Sequence, residues 1–111
     1  MQYLLLIYED EKRWNQGYDL AELGEYRAFG KAHAGAIKGG NALQPTTTAA
    51  TVRVRDGKAL ATDGPFAETK EQLGGYYLVE AASRDEAIAM AGKTPGARFG
   101  SIEVRPIMTF S

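Results

Sequence analysis

Three apolar runs of strand length stand out along the chain. Residues 3–8 (YLLLIY) and 75–81 (GYYLVEA) carry large apolar side chains at both odd and even positions, which is typical of strands buried on two faces. Residues 101–107 (SIEVRPI) predict a final strand. These runs indicate a sheet whose central strands need cover on both sides.

Two further strands are predicted as a hairpin. Residues 51–55 (TVRVR) and 58–62 (KALAT) flank Asp56 and Gly57. An Asp-Gly pair between alternating segments is the strongest short signal for a β-hairpin. The Thr- and Ala-rich stretch before these strands is expected to be irregular or to form a short edge strand.

The first helix has a clear predicted start. Asp19 is suited to the N-cap, Glu22 completes a capping box three residues later, and Tyr18 with Leu23 forms a hydrophobic staple. Apolar residues recur at helical spacing through residues 20–37, so we expect one face of this helix to pack on the core. Gly39 and Gly40 predict its end, although the glycines within it mean that the helix must be held by packing or ends early.

The second helix is predicted in the same way. Ser83 and Glu86 form a capping box, and the apolar positions that follow mark an inner helix face. Gly92 predicts the end of this helix, with Pro95 beyond it.

The predicted order is strand, helix, hairpin, strand, helix, strand, within one domain that covers residues 1–111. This order fits an α+β fold, a ferredoxin-like sheet with two helices on one face. Leaving the other face wet would cost several kcal/mol, comparable with the whole stability of a small domain. We therefore expect a homodimer whose two sheets form a dimeric α/β barrel. The alternative is that tyrosine hydroxyls reach solvent and make the second face tolerably polar.

Composition narrows the class of function. Lysine plus arginine total 13 against 14 aspartates plus glutamates, so we expect neither nucleic acid nor a membrane as a partner. The chain has no cysteine and one histidine, which removes thiolate chemistry and most soft-metal sites. We expect no metal and no cofactor. The first apolar run is too short for a signal peptide, so a cytoplasmic location is the default expectation.

The stretch ATDGPFAETKEQLGG is open to two interpretations. Asp63, the following glycine and Pro65 form a turn for local reasons, with Phe66 closing the end of the core and the charged residues beyond forming a solvated rim. The functional interpretation starts from the same turn. A carboxylate at a strand end, backed by Pro65 and desolvated by Phe66, has the surroundings of a general acid or base.

The candidate ligand-binding residues lie around this turn. Arg53 and Lys70 are suited to an anionic group, although either would lower the pKa of a neighbouring carboxyl. The alternative for Arg53 is that it lines a solvated strand edge. Tyr76 and Tyr77 point to opposite faces, and one of them, for which we select Tyr76, is expected to direct its hydroxyl to a polar partner in a cavity. Tyr26 on the first helix completes the set. The resulting hypothesis is a small-molecule ligand, anionic or carbonyl-bearing, bound near Asp63, with cofactor-free elimination or isomerisation as the chemistry.

The segments MQYLLLIYEDE, ALQPTTTAATVRVRDGKALATDGPFAETKEQLGGYYLVEA and GSIEVRPI resemble the DGPF branch of the YCII-related family of small bacterial proteins. The resemblance extends nearly end to end and is most specific over residues 62–75. It implies a ferredoxin-like chain that assembles as a dimeric α+β barrel, in agreement with the packing argument.

The resemblance implies two different functions. Some YCII-related proteins are similar to small lyases, and a histidine–aspartate pair is proposed as an active site in the wider family. That histidine lies near the start of the first helix, whereas His33 lies late in it, and the matching region here holds Tyr26 and Arg27. Relatives of the DGPF type are also often encoded beside sigma factors of the extracytoplasmic-function type. The alternative function is therefore a regulatory module with a sigma factor as partner.

Overall fold

The computed structural model describes residues 1–14, 17 and 19–110. In chain order, its elements are β1 (Gln2–Glu9), a 3-10 helix (Glu11–Trp14), α1 (Leu20–Ala32), β2 (Ile37–Ala42), a 3-10 helix (Thr46–Thr48), β3 (Ala50–Arg55), β4 (Lys58–Asp63), β5 (Gln72–Glu80), α2 (Arg84–Gly92), a 3-10 helix (Pro95–Arg98) and β6 (Ser101–Pro106). Four of the strands form an antiparallel sheet in the order β2-β5-β1-β6. This is the expected α+β, ferredoxin-like sheet.

Both helices contribute to a core on one side of this sheet. Leu5 and Val79 are fully buried there with Phe29 of α1 and Met90 of α2. The residues that alternate with them point to the opposite side, as strand geometry requires. Leu4, Leu6, Tyr8 and Leu78 are half-buried on that side and lie outside the core cluster. The prediction of two helices on one face is confirmed.

The predicted length of the first helix was wrong. α1 ends at Ala32 with His33 as its C-cap, and Ile37–Ala42 forms the edge strand β2 instead of a last helical turn. A Cβ at Gly40 would lie 2.7 Å from the carbonyl oxygen of Tyr76 and 2.8 Å from Cδ1 of Tyr77. Glycine here permits close pairing with β5 and does not end a helix.

The helix starts follow the sequence, with one difference. Asp19 is the N-cap of α1 and accepts a hydrogen bond from the amide of Ala21 at 2.9 Å, whereas Tyr18 of the predicted staple lies outside the described residues. Glu22 does not complete a capping box, because its side chain is buried beside the sheet. Ser83 caps α2, accepting from the amide of Glu86 at 3.1 Å.

The predicted hairpin is confirmed, but it forms a sheet of its own. β3 and β4 pair only with each other in the sheet topology, and their turn has positive φ at both Asp56 (52°) and Gly57 (76°), as a type I′ turn requires. We call this hairpin, residues 50–63, the arm. Its foot is closed where the amide of Gly64 (φ 100°) donates to the carbonyl of Ala49 at 2.7 Å.

Within the described residues, no helix is long and apolar enough to cross a membrane.

Candidate functional site

A cavity of about 420 Å³ opens at the end of the sheet where β1 and β2 finish and β5 begins. This volume lies in the usual range for small-molecule sites. Apolar and aromatic side chains form much of its wall, namely Ile7, Trp14, Leu23, Leu43, Pro45 and Tyr77. The polar lining residues are Glu9, Glu11, Tyr26, Asn41, Gln72 and Tyr76. A largely apolar cavity with a few polar groups suits a small organic ligand.

Glu9 is the most unusual of the polar lining residues. It continues the buried side of β1 and is only 4 % exposed. Its Oε2 accepts hydrogen bonds from Nη1 of Arg13 at 2.7 Å and from Nε1 of Trp14 at 3.0 Å. Its Oε1 is buried and has no hydrogen-bond partner among the described residues. Burial raises the pKa of Glu9 and the charge of Glu22 adds to this, against the lowering effect of Arg13 and Trp14.

Arg13 joins Glu9 to a second buried carboxylate. Its Nη2 donates to Oε2 of Glu22 at 2.9 Å, and Glu22 is 2 % exposed. The guanidinium also lies over the ring of Phe99, with its carbon 3.8 Å from the ring centroid. Two buried carboxylates thus share one cation. When both are ionised the cluster carries a net negative charge, and the charge of Glu22 helps to raise the pKa of Glu9.

Tyr26 provides a hydroxyl beside this cluster. It accepts a hydrogen bond from the amide of Gly96 at 3.1 Å, which leaves its own proton for donation. Burial, followed by the charge of Glu9, raises the pKa of Tyr26 far above its ordinary value, so the hydroxyl stays protonated. A Cβ on Gly96 would lie 2.5 Å from Oε1 of Glu9 and 2.8 Å from the Tyr26 hydroxyl, so both oxygens border the same glycine.

The rim of the cavity is fixed by Glu11. Its carboxylate accepts from the amide of Thr46 at 2.7 Å and from the hydroxyl of Thr46 at 2.8 Å. Its amide donates to Oε1 of Gln72 at 3.2 Å. These bonds hold the segment between β2 and the arm against the start of β5.

Only part of the predicted site lies here. Tyr26 and Tyr76 line the cavity, and the Tyr76 hydroxyl accepts from Nδ2 of Asn41 at 3.0 Å. Asp63 is an exposed residue at the end of β4, and Phe66 is 79 % exposed. The predicted residues that do not line the cavity are Asp63, Arg53, Pro65, Phe66 and Lys70. Their functional roles stay predictions.

The carboxylate cluster was not anticipated from the sequence, although one signal was present. Tyr3, Leu5 and Ile7 alternate on the buried side of β1, and the same alternation places Glu9 there. His33 is half-buried outside the cavity lining, with its ring centroid 4.5 Å from that of Phe29.

Comparison with known proteins places the chain in a family. Uncharacterized protein R00369 of Rhizobium meliloti (strain 1021) is 41% identical over 117 residues, which cover 99% of this chain and 94% of that protein. The chain is also similar in structure to 5-chloro-2-hydroxyhydroquinone dehydrochlorinase (TftG) from Burkholderia phenoliruptrix AC1100, solved in complex with 2,5-dihydroxybenzoquinone. The TM-score is 0.58 at 15% identity, with 97% of this chain and 94% of that chain covered, a likeness that shows the fold. The family model of the YCII-related domain matches residues 1–111, so the chain belongs to the YCII-related family.

Proposed function

We propose that the cavity binds a small molecule with a carbonyl or phenolic oxygen and that Glu9 exchanges a proton with it. The observation that carries the proposal is the unpartnered, buried Oε1 of Glu9 beside the protonated hydroxyl of Tyr26. Buried carboxylate oxygens normally have partners, so an unpaired one needs an explanation such as a proton or a ligand. Glu9 itself lines the largely apolar cavity, which supports the ligand.

The chemistry follows from the two groups. A carboxylate whose pKa is raised by burial is a stronger base than an ordinary glutamate. Glu9 takes a proton from a carbon next to the ligand's carbonyl group, and the C–H electron pair moves toward the carbonyl oxygen. Tyr26 donates a hydrogen bond to that oxygen as it gains negative charge. Return of the pair to carbon either expels a neighbouring leaving group, which is an elimination, or takes back a proton at another position, which is an isomerisation.

The structural likeness to a dehydrochlorinase supports this class of ligand. That enzyme was solved with 2,5-dihydroxybenzoquinone, a small ring that carries carbonyl and hydroxyl oxygens. A ring of this size fits a cavity of about 420 Å³. Its oxygens provide acceptors for the hydroxyl of Tyr26 and a donor for the carboxylate of Glu9, both of which line the cavity.

We further propose that the working form is a homodimer. Leu4, Leu6 and Leu78 lie on the sheet side opposite the helices and outside the core cluster. A second copy that packs the same side against them removes this apolar surface from water, in an isologous contact about a two-fold axis.

Ligand binding is tested with 2,5-dihydroxybenzoquinone and cyclohexane-1,3-dione as probes, by isothermal titration calorimetry and by quenching of Trp14, the single tryptophan. Glu9→Gln and Tyr26→Phe should each weaken binding about tenfold or more, since each removes a hydrogen bond in a water-poor cavity. Asp63→Asn is the matched carboxylate control and should bind as the wild type does.

Two results would contradict the cavity proposal. One is the absence of saturable binding to both probes. The other is loss of binding in Asp63→Asn with retention in Glu9→Gln, which would favour the site predicted around Asp63. The regulatory alternative, with a sigma factor as partner, stays a prediction.

A further inference from the structure

The arm is amphipathic across its two sides. The register pairs Val52 with Ala61 and Val54 with Ala59, so these four side chains share one side of the two-stranded sheet. The other side carries the three cations Arg53, Arg55 and Lys58, together with Leu60. A two-sided hairpin of this kind has one side suited to a packed contact and one side suited to solvent.

Among the described residues, the arm's apolar side does not pack on the core. Val52 is 63% exposed and Val54 is 61% exposed, and neither belongs to the core cluster or packs against it. The radius of gyration is 15.9 Å, whereas a compact domain of this length has about 13 Å. Strands of six residues reach about 20 Å from their foot. The arm therefore projects from the body with its apolar side uncovered.

The area of a stable dimer favours a second copy as the cover. Such an interface buries about 800 Å² on each partner, of which about 450 Å² is apolar. The half-buried side chains on the uncovered sheet side supply roughly 200 Å², since each exposes only a fraction of its surface. The apolar side of the arm, with Phe66 at its foot, adds roughly 400 Å² more. The sheet surface alone falls short of an interface of standard size, and the apolar side of the arm supplies about the difference.

Charge fixes which side of the arm packs inward. Burying Arg53, Arg55 and Lys58 would desolvate three cations at a high cost in free energy. Packing the valine side costs no such desolvation.

We propose that, in the homodimer, the arm of each copy reaches across to the other copy and packs its Val52 and Val54 side on it, beside the sheet-to-sheet contact. This inference rests on the proposed homodimer and adds a specific contact to it. Because a two-fold axis duplicates every contact, the two arms contact the partner copies at opposite ends of the dimer. The cationic side of each arm stays in solvent.

The first test is sedimentation velocity over a concentration series. Val52→Ser/Val54→Ser should raise the dimer dissociation constant about tenfold or more, because two anchoring side chains are lost from each arm. Arg53→Ser/Arg55→Ser is the matched control, with two substitutions on the same strand but on the other side, and should stay within about threefold of wild type. Equal dissociation constants for wild type and the valine variant would overturn the inference.

The second test locates the contact directly. p-Benzoyl-phenylalanine in place of Val54, in a dimer mixed from unlabelled and ¹⁵N-labelled chains, should give photocrosslinks between light and heavy copies on mass spectrometry. The same probe in place of Arg53 should give far fewer. Crosslinks confined to one copy would overturn the arm contact and leave the homodimer standing, whereas a wild type that sediments as a monomer would remove both.

Discussion

The cavity and the arm are joined through the segments that follow β2 and precede β5. They differ in what they bury: the cavity buries charged groups, whereas the arm exposes apolar ones. Around Glu9, carboxylates and a guanidinium are buried together, while in the arm Val52 and Val54 are left in solvent. Buried charge and exposed apolar surface each cost free energy within a single chain. The difference teaches that each region points to a different partner, a polar ligand for the first and an apolar protein surface for the second.

The largest difference between the two regions is expected when one arginine is removed from each. Arg13→Ala leaves the carboxylates of Glu9 and Glu22 buried without their cation, and should lower the free energy of unfolding by about 3–5 kcal/mol. Arg53→Ala removes an exposed cation of the arm and should change it by less than about 0.5 kcal/mol. Urea denaturation at equal protein concentration measures both. Similar effects for the two variants would show that the buried cluster is not a closely coupled unit.

A smaller effect is expected from filling the space beside Glu9. Gly96→Ala places a methyl group 2.5 Å from Oε1 of Glu9 and 2.8 Å from the Tyr26 hydroxyl, and should destabilise the fold by about 1–3 kcal/mol. Gly24→Ala is the control, because a Cβ there has open space inside α1 and should stabilise by about 0.5–1 kcal/mol. Thermal unfolding of both variants decides the point. A neutral Gly96→Ala would mean that the two oxygens are not held close to this glycine.

The sequence predicted the elements whose signals are local. The Asp-Gly turn of the arm, the N-caps Asp19 and Ser83, and the apolar strand β1 all depend on residues close in the chain. β2 was not predicted because the residues that it pairs with are distant in the chain. Gly40 is needed for pairing with a strand more than thirty residues away.

The candidate site was predicted less well for a similar reason. Tyr26 was expected to bind ligand, but its position beside Glu9 depends on how α1 packs over β1. Glu22 has the spacing of a capping box, and tertiary burial next to Arg13 overrode that local role. Local pattern identifies the helix start, whereas the partner of a charged side chain depends on the whole fold.

The smallest expected effect is on the pH dependence of the unfolding free energy. Burial raises the pKa of Glu9 above its ordinary value of 4.5, so the folded state holds this proton more tightly than the unfolded chain. The stability from that proton is fully present below pH 4.5 and is lost as the pH rises through the folded pKa. Glu9→Gln does not lose stability in this way, because glutamine does not titrate. The unfolding free energy of the variant minus that of wild type should therefore rise between about pH 4 and pH 8.

Urea denaturation at intervals of about one pH unit measures this difference, with Glu103→Gln as a control at a carboxylate more exposed than Glu9. A difference that is flat or falls with pH would show that the folded state does not favour the protonated form of Glu9.

The most direct test of the account is the titration of the Glu9 carboxyl itself. In protein labelled with ¹³C at the glutamate side-chain carboxyls, the resonance that disappears in Glu9→Gln should titrate above the ordinary value of 4.5, because the group is buried and the charge of Glu22 lies near it. Saturation with 2,5-dihydroxybenzoquinone should shift that resonance and leave the exposed Glu68 unchanged. A Glu9 resonance that titrates at or below 4.5 and does not respond to the probe would contradict its assignment as the proton-exchanging group.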